Sequence, residues 1–203
     1  MKKSILKVLA LMLLTVLAVL PTVSCGGEKE RYCYAEIVTD HGTITLRLDR
    51  ENAPITVDNF VSLAEDGFYD GLTFHRAQVN FMIQGGDPKA NGSGDSGKTI
   101  KGEFSSNGVD NKISHKRGVI SMARSDKPNS ASCQFFICNA DSEFLDGNYA
   151  AFGEVIDGLD VVDAITAMMA PYGDGKYGTV SDKSKQVVIT EINVISEAVA
   201  TSR

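Results

Sequence analysis

The side chains that could do chemistry are few in this sequence and widely spaced. No two of its three histidines, His41, His75 and His115, stand three or four residues apart, so no helical pair of metal ligands is present. No Gly-x-Ser-x-Gly motif marks a serine nucleophile. If the chain is an enzyme, these absences indicate a reaction that needs no metal ion, no cofactor and no covalent nucleophile.

Three cysteines, Cys33, Cys133 and Cys138, follow the N-terminal segment. Cys133 and Cys138 are five residues apart, so on a strand their side chains face opposite sides and cannot bridge each other. We expect all three to be small buried apolar side chains without a catalytic role. The run from Gly92 to Gly97 matches a dinucleotide-binding pattern, but it lacks the flanking strand and helix that such a site requires.

Two stretches combine a guanidinium, amides and aromatic rings. Phe74-His75-Arg76 shortly precedes Phe81-Met82-Ile83-Gln84, and Gln134-Phe135-Phe136 follows later. On a strand Gln134 and Phe136 share a face. An amide and an aromatic ring on one face favour a peptide-binding groove, although apolar residues of this kind also make ordinary core.

The elements that must position these residues are short strands and two helices. Alternation of Ile44, Leu46 and Leu48 with polar residues predicts a strand that pairs with residues 36–39. Helical spacing from Pro54, with Gly67 at the end, predicts a first helix. Further strands are predicted at residues 118–122, 134–138, 151–155 and 187–195, a second helix at 159–168, and a braced or functional polar region at 85–116. The fold class is therefore mainly β, a closed or nearly closed antiparallel sheet with helices at its ends.

The N-terminal segment has a different composition from the rest. Residues 1–24 carry three lysines and no acid, and the apolar run from Val8 to Leu20 is 13 residues long, short of the roughly 20 that a membrane-spanning helix needs. Thr22-Val23-Ser24-Cys25 resembles a bacterial lipobox, with Thr22 where leucine is usual. We expect residues 1–24 to be a lipoprotein signal peptide and Cys25 to carry the lipid, with palmitate among its acyl chains. The alternative is an ordinary signal peptide with a free cysteine nearby.

Removal of residues 1–24 changes the net charge from −6 to −9 and leaves 179 residues. This acidic balance argues against nucleic-acid binding, which depends on lysines and arginines. We expect residues 25–33 to be a tether, residues 34–197 one domain and residues 198–203 a tail.

Several of these motifs, in the same order along about 150 residues, resemble the cyclophilin-type peptidyl-prolyl cis–trans isomerases. They include Phe81–Asp87, Ser121–Arg124, Ser132–Ile137 and Glu143–Gly147. The resemblance implies a closed eight-stranded antiparallel barrel capped by two helices. It also implies a monomer that acts on proline-containing polypeptides without a cofactor or metal.

The resemblance assigns Arg76 as the catalytic residue. It implies an apolar socket for proline, backbone contacts from two glutamines, contacts to the residues before proline, and a glycine loop along the groove. The corresponding positions are Phe81, Met82, Phe136 and Leu145 for the socket, Gln84 and Gln134 for the backbone, Ala123 and Arg124 for the preceding residues, and Gly92 for the loop. His75 and His115 match family positions, and we interpret both as structural, with His75 hydrogen-bonded.

Two substrate-contacting positions depart from the family pattern. Phe144 stands where cyclosporin-sensitive members carry tryptophan, and Tyr149 stands where many eukaryotic members have histidine. Loss of the indole N–H removes a donor, so we expect weak cyclosporin binding. The segment from Asp174 to Lys185 has no clear counterpart in the shorter members, and we expect a solvated loop.

The sequence therefore predicts a lipid-anchored bacterial isomerase of X-Pro bonds. Its place would be the outer leaflet or periplasmic side of the cell membrane, and its substrates exported or cell-envelope proteins during folding. Two alternatives stay open: a module of the same fold that holds proline-containing segments with little turnover, and a surface protein whose tether matters more than its groove.

Overall fold

A computed structural model describes residues 30–202 of the chain. The sheet contains β1 (Tyr32–Thr39), β2 (Gly42–Asp49), β3 (Thr73–Gln78), β4 (Met82–Gly85), β5 (Val119–Met122), β6 (Phe135–Cys138), β7 (Ala151–Asp157) and β8 (Val187–Ile195). The helices are α1 (Pro54–Glu65), α2 (Leu159–Met169) and the short α3 (Glu197–Ala200).

The eight strands form one closed barrel in the order β1-β2-β7-β5-β6-β4-β3-β8, and every pairing is antiparallel. Helix α1 packs against β2 and β8, and α2 packs against β2, β3 and β4. The predicted mainly β barrel with two principal helices is therefore confirmed.

Helix α1 follows from its local sequence. Pro54 occupies the first turn, where its missing N–H costs nothing, and Val57, Phe60 and Ala64 are buried on one face. The carboxylate of Glu103 accepts hydrogen bonds from the backbone N–H groups of Ile55 and Thr56 at the start of the helix. The polar region of residues 85–116 is thus braced against the helix.

Aromatic rings fill the barrel. Phe60 of α1 lies 5.6 Å from Phe135 and 5.4 Å from Phe152, measured between ring centroids, and all three are fully buried. Phe135 also meets Phe74 edge to face at 6.0 Å. This core holds β3 and β6, the strands that carry Arg76 and Phe136, in a fixed relation.

The ends of the barrel differ from the predicted domain boundaries. Strand β1 begins at Tyr32, which pairs with Asp49, so the last two residues of the predicted tether are part of the sheet. At the other end Glu197 begins α3 and accepts a hydrogen bond from the hydroxyl of Tyr34 at 2.9 Å. The first residues of the predicted tail therefore belong to a helix that docks on β1.

Candidate active site

Arg76 projects from β3 and is held by three acceptors. Its Nη1 donates to Oε1 of Gln84 at 3.1 Å, its Nη2 to Oε1 of Gln78 at 2.8 Å, and its Nε to the carbonyl oxygen of Tyr177 at 2.5 Å. A guanidinium has five N–H donors. Within residues 30–202 one donor on each Nη is therefore left for another group. Burial lowers the pKa of Arg76, yet a guanidinium stays charged at any physiological pH.

A chain of amides continues from Arg76 across the sheet. Gln84 on β4 donates from Nε2 to Oε1 of Gln134 at 2.9 Å. Gln134 in turn donates to the carbonyl oxygens of Gly92 and Gly94, at 3.2 and 2.8 Å. The hydrogen bonds run in one direction from the guanidinium to residues 92–97, which we call the glycine loop. Each amide therefore has a fixed orientation.

The glycine loop is organised by a buried carboxylate. Asp87 is fully buried and accepts backbone N–H bonds from Lys89, Asn91 and Gly92. Burial alone would raise the pKa of Asp87, but the three N–H donors outweigh it and leave the pKa below its usual value. A Cβ on Gly94 would lie 1.9 Å from Oδ1 of Asp87, so only glycine fits there.

An apolar socket adjoins the guanidinium and is separate from the barrel core. Met82, Phe136 and Leu145 are buried in a second hydrophobic cluster, with Phe81 and Tyr149 packed against it. The ring of Phe136 meets that of Tyr149 edge to face at 5.8 Å. Arg76 and this cluster line one open groove of about 340 Å³.

A second pocket of about 330 Å³ continues the groove toward the glycine loop. Gln84, Ala123 and Arg124 line both pockets. Arg124 donates from Nε to the carbonyl oxygen of Asn148 at 2.9 Å, and its guanidinium lies 4.8 Å from the ring centroid of Tyr149. Because the two pockets share these lining residues, they form one continuous groove.

Phe144 stands at the rim of the groove. Its side chain is 71% exposed, and its ring lies 5.5 Å from that of Phe81. A phenyl ring there offers contact area to a ligand but no hydrogen-bond donor.

His115 braces the back of the socket. Its ring stacks on Phe136 at 6.0 Å, its Nδ1 lies 2.7 Å from Oδ1 of Asp146, and its Nε2 lies 3.0 Å from Oγ of Ser121. Burial lowers the pKa of His115, and Asp146 opposes this effect. Both ring nitrogens have partners and the ring is buried, which agrees with the predicted structural role.

His75 differs from the prediction in one respect. It is buried, but neither of its ring nitrogens has a hydrogen-bond partner among the described residues, so the predicted hydrogen-bonded imidazole is wrong. The reason is that His75 lies at an irregularity of β3 and packs beneath the glycine loop, where its Nε2 lies 3.8 Å from the Cβ position of Gly92. Burial lowers the pKa of His75, and Asp87 opposes this effect.

Cys133 and Cys138 are buried thiols and form no disulfide with each other. Burial raises the pKa of Cys133 to about 11 and that of Cys138 to about 12. Both side chains therefore stay protonated at neutral pH and behave as the small apolar residues that the sequence predicts.

The structure brings all the predicted groove residues together. The two adjoining pockets contain Arg76, Phe81, Met82, Gln84, Gly92, Ala123, Arg124, Gln134, Phe136, Phe144, Leu145 and Tyr149. Cys25, the predicted lipidation site, lies outside the described residues.

Sequence reasoning missed three groups that hold this site. Gln78 was detectable, because it stands two residues from Arg76 and so shares its face of β3. Asp87 was detectable as an acid directly before a glycine-rich loop. Tyr177 gave no signal, since it contacts Arg76 through a backbone carbonyl across 101 residues of sequence.

Comparison with known proteins identifies the family of the chain. The family described as cyclophilin type peptidyl-prolyl cis-trans isomerase/CLD matches residues 34–194. The chain belongs to this family.

Relatives of the chain are themselves named peptidyl-prolyl cis-trans isomerases. One from Helicobacter pylori is 45% identical over 140 residues, which span 68% of this chain and 83% of that protein. Peptidyl-prolyl cis-trans isomerase B of Escherichia coli is 38% identical over 167 residues, 78% of this chain and 97% of that one. The cyclophilin-type chain is thus an enzyme of the peptidyl-prolyl isomerase class.

Solved structures agree with the fold. A cyclophilin-type isomerase of Cryptosporidium parvum is 29% identical and has a TM-score of 0.70, with 81% of this chain and 98% of that chain covered. A second structure of the same protein, determined in the presence of the dipeptide Ala-Pro, has a TM-score of 0.69 and covers 80% and 99% of the two chains.

Proposed function

We propose that this cyclophilin-type isomerase accelerates X-Pro isomerisation in exported or cell-envelope proteins while it is anchored to the membrane by a lipid on Cys25. The observation that carries the catalytic part is the position of Arg76, which lines the groove beside the Phe136 socket with N–H groups to spare. The N-terminal sequence supports the anchored location.

The reaction needs little chemical machinery. The peptide bond resists rotation because of its partial double-bond character, with a barrier of roughly 18–20 kcal/mol. No covalent bond forms or breaks, and no proton has to move. An enzyme accelerates the rotation by binding the twisted amide more tightly than the planar one.

Arg76 supplies that selective binding. As the amide twists, conjugation is lost and a lone pair localises on the prolyl nitrogen. An N–H of the guanidinium can then donate to this nitrogen, an interaction that the planar amide does not offer. Because Gln78, Gln84 and Tyr177 hold the guanidinium before substrate arrives, little reorganisation is needed in the twisted state.

The socket and the amides hold the two sides of the bond differently. Met82, Phe136 and Leu145 offer an apolar seat for the proline ring. Gln84 and Gln134 offer polar groups for the peptide backbone before it. With the ring held, rotation takes place on the side of the preceding residue.

The anchored location rests on the sequence around Cys25. Seven residue steps separate Cys25 from Tyr32, the first residue of β1, and a chain of that length reaches at most about 25 Å. A lipid on Cys25 would therefore keep the groove close to the membrane surface, where exported chains emerge. Among the described residues no helix is long and apolar enough to span a membrane.

Cell fractionation tests the anchor. We expect Cys25→Ser to move the protein from the membrane fraction to the soluble fraction and to abolish incorporation of labelled palmitate. Cys33→Ser, which changes a thiol within β1, is the matched control and should leave both unchanged. Continued membrane retention and labelling of the Cys25→Ser protein would refute a lipid on this residue.

A further inference from the structure

The segment that follows α2 lies against the catalytic strand rather than in open solvent. Gly178 accepts a hydrogen bond at its carbonyl from the N–H of Ala77 at 3.0 Å, and the N–H of Val180 donates to the carbonyl of His75 at 2.9 Å. These two bonds flank Arg76, and Arg76 itself forms a bridge with Thr179. Residues 178–180 therefore extend the sheet where β8 stops pairing with β3, and for them the expectation of a solvated loop is wrong, whereas residues 174–177 are exposed as expected.

This segment makes a direct contact with the guanidinium. The carbonyl oxygen of Tyr177 accepts from Nε of Arg76 at 2.5 Å. The other two nitrogens of the guanidinium donate to the side chains of Gln78 and Gln84. Tyr177 provides the only backbone acceptor for Arg76 among the described residues. Its carbonyl therefore fixes the position of Nε, the atom at which the guanidinium joins the side chain.

Asp174 holds the carbonyl of Tyr177 in place. Its Oδ1 accepts N–H bonds from Lys176 at 3.1 Å, from Gly178 at 3.0 Å and from Tyr177 itself. A second pair of backbone bonds closes the loop, from Asp174 to Thr179 and from Gly178 to Asp174. One exposed carboxylate therefore organises the turn that presents the acceptor.

Two glycines of this loop have different surroundings. Gly178 has a φ of +74°, and a Cβ there would lie 2.4 Å from the carbonyl oxygen of Ala77, so a side chain would push the loop away from β3. Gly175 has no atom within 4 Å of its Cβ position. The close packing at Gly178 indicates that contact with β3 is built into the loop.

We propose that residues 174–178 form a positioning loop for Arg76, in which Asp174 orients the carbonyl of Tyr177 and that carbonyl aims the guanidinium at the prolyl nitrogen. The inference rests on the isomerase activity and on the role of Arg76 proposed above. It does not depend on the lipid anchor. Asp174, Tyr177 and Gly178 then act as positioning residues in the reaction, although none of them needs to touch the substrate, whereas Gly175 faces open space and has no part in it.

Steady-state kinetics and a spectroscopic signal together test the positioning loop. Full-length Asp174→Ala and Gly178→Ala proteins in detergent micelles would be assayed on a proline-containing tetrapeptide. We expect kcat to fall about three- to tenfold, the size that follows when one charge-assisted hydrogen bond loosens, with KM within about twofold of wild type. In nitrogen-15 spectra, the Nε–H proton of Arg76 should exchange with water faster in both variants.

Two control variants separate positioning from general loop damage. Gly175→Ala adds the same methyl group where there is space, and Asp182→Ala removes a carboxylate that caps the turn at Lys183–Lys185. Both should keep the wild-type kcat and the wild-type Nε–H exchange.

The possible results divide clearly. Slower turnover with faster Nε–H exchange in the Asp174 and Gly178 variants alone supports the positioning loop. Wild-type kcat in Asp174→Ala, or a loss of kcat without a change in Nε–H exchange, overturns it. Wild-type turnover by Arg76→Ala would instead overturn the proposed catalytic role of Arg76, so the two failures are distinguishable.

Discussion

Nη1 of Arg76 donates to Oε1 of Gln84 at 3.1 Å, which couples the catalytic guanidinium to the amides that line the peptide groove. Gln84 in turn donates a hydrogen bond from Nε2 to Oε1 of Gln134 and so fixes the orientation of that amide. A polar side chain on β4 thus has two tasks, because it holds Arg76 and it also orients a group that faces the substrate backbone.

Replacement of Gln84 tests this coupling. Gln84→Leu keeps most of the volume but removes both hydrogen bonds, and we expect kcat/KM to fall about tenfold, or about 1.4 kcal/mol. Gln84→Glu keeps an acceptor for Arg76 and should lose less. Urea denaturation of both variants provides the stability control, and wild-type kcat/KM in Gln84→Leu would contradict the coupling.

The neighbours Phe135 and Phe136 should have separate effects. Phe135 packs in the barrel core against Phe60, whereas Phe136 faces the groove beside Tyr149. We expect Phe135→Leu to lower the free energy of unfolding by roughly 1–3 kcal/mol and to leave kcat/KM of the folded protein unchanged. Phe136→Leu should lower kcat/KM more than stability. Denaturation and peptide kinetics on both proteins check the pair, and equal activity losses would refute the division.

The buried His75 should make stability depend on pH. Burial lowers the pKa of this imidazole in the folded protein, so below pH about 6.5 the unfolded chain binds a proton more readily than the folded one. The contribution of His75 is therefore present above that pH and is lost as the pH falls toward the lowered folded pKa. One proton accounts for at most about 1.4 kcal/mol per pH unit.

Urea denaturation at pH 7.5 and pH 5.5 measures the effect. We expect the wild type to lose more stability between the two than His75→Leu, which has no group to protonate at this position. His115 contributes in the same direction in both proteins, so it cancels in the comparison. An identical pH dependence in the two proteins would argue against a neutral buried His75.

The rim residue Phe144 should determine the response to cyclosporin. It has no donor and is largely exposed, so we expect weak binding by the wild type. Phe144→Trp adds an indole N–H and contact area at the rim, and it should bind the drug at least about tenfold more tightly. Calorimetric titration of both proteins decides the matter, and tight binding by the wild type would disprove the hypothesis.

Local patterns predicted six of the eight strands and the two principal helices, because their causes are local, but they did not predict β3 and β4 as strands. Strand β8 occupies the predicted residues Val187–Ile195, and α2 ends at Met169, one residue beyond the prediction. Alternation and helical spacing show which face of a strand or helix is buried. The same pattern of burial sets where that strand or helix begins and ends. The groove residues were predicted from the motifs that carry the family resemblance. The structure places them together in two adjoining pockets.

Other features depend on contacts that no local pattern records. The position of residues 174–180 follows from backbone bonds to β3, about one hundred residues earlier in the chain. The surroundings of His75 depend on the glycine loop folding over it. Helix α3 is only four residues long and shows too little periodicity to be detected.

The central claim is that Arg76 stabilises the twisted prolyl bond, and the most direct measurement is the rate of a proline-limited refolding reaction. Catalytic amounts of the full-length protein should accelerate refolding of a client whose slow phase is X-Pro isomerisation. Arg76→Ala should lose at least about tenfold of this acceleration, and Arg76→Lys, which keeps the charge but not the fork, should not restore it fully. Equal acceleration by wild type and Arg76→Ala would contradict the account, and no acceleration by the wild type would favour a binding module with little turnover.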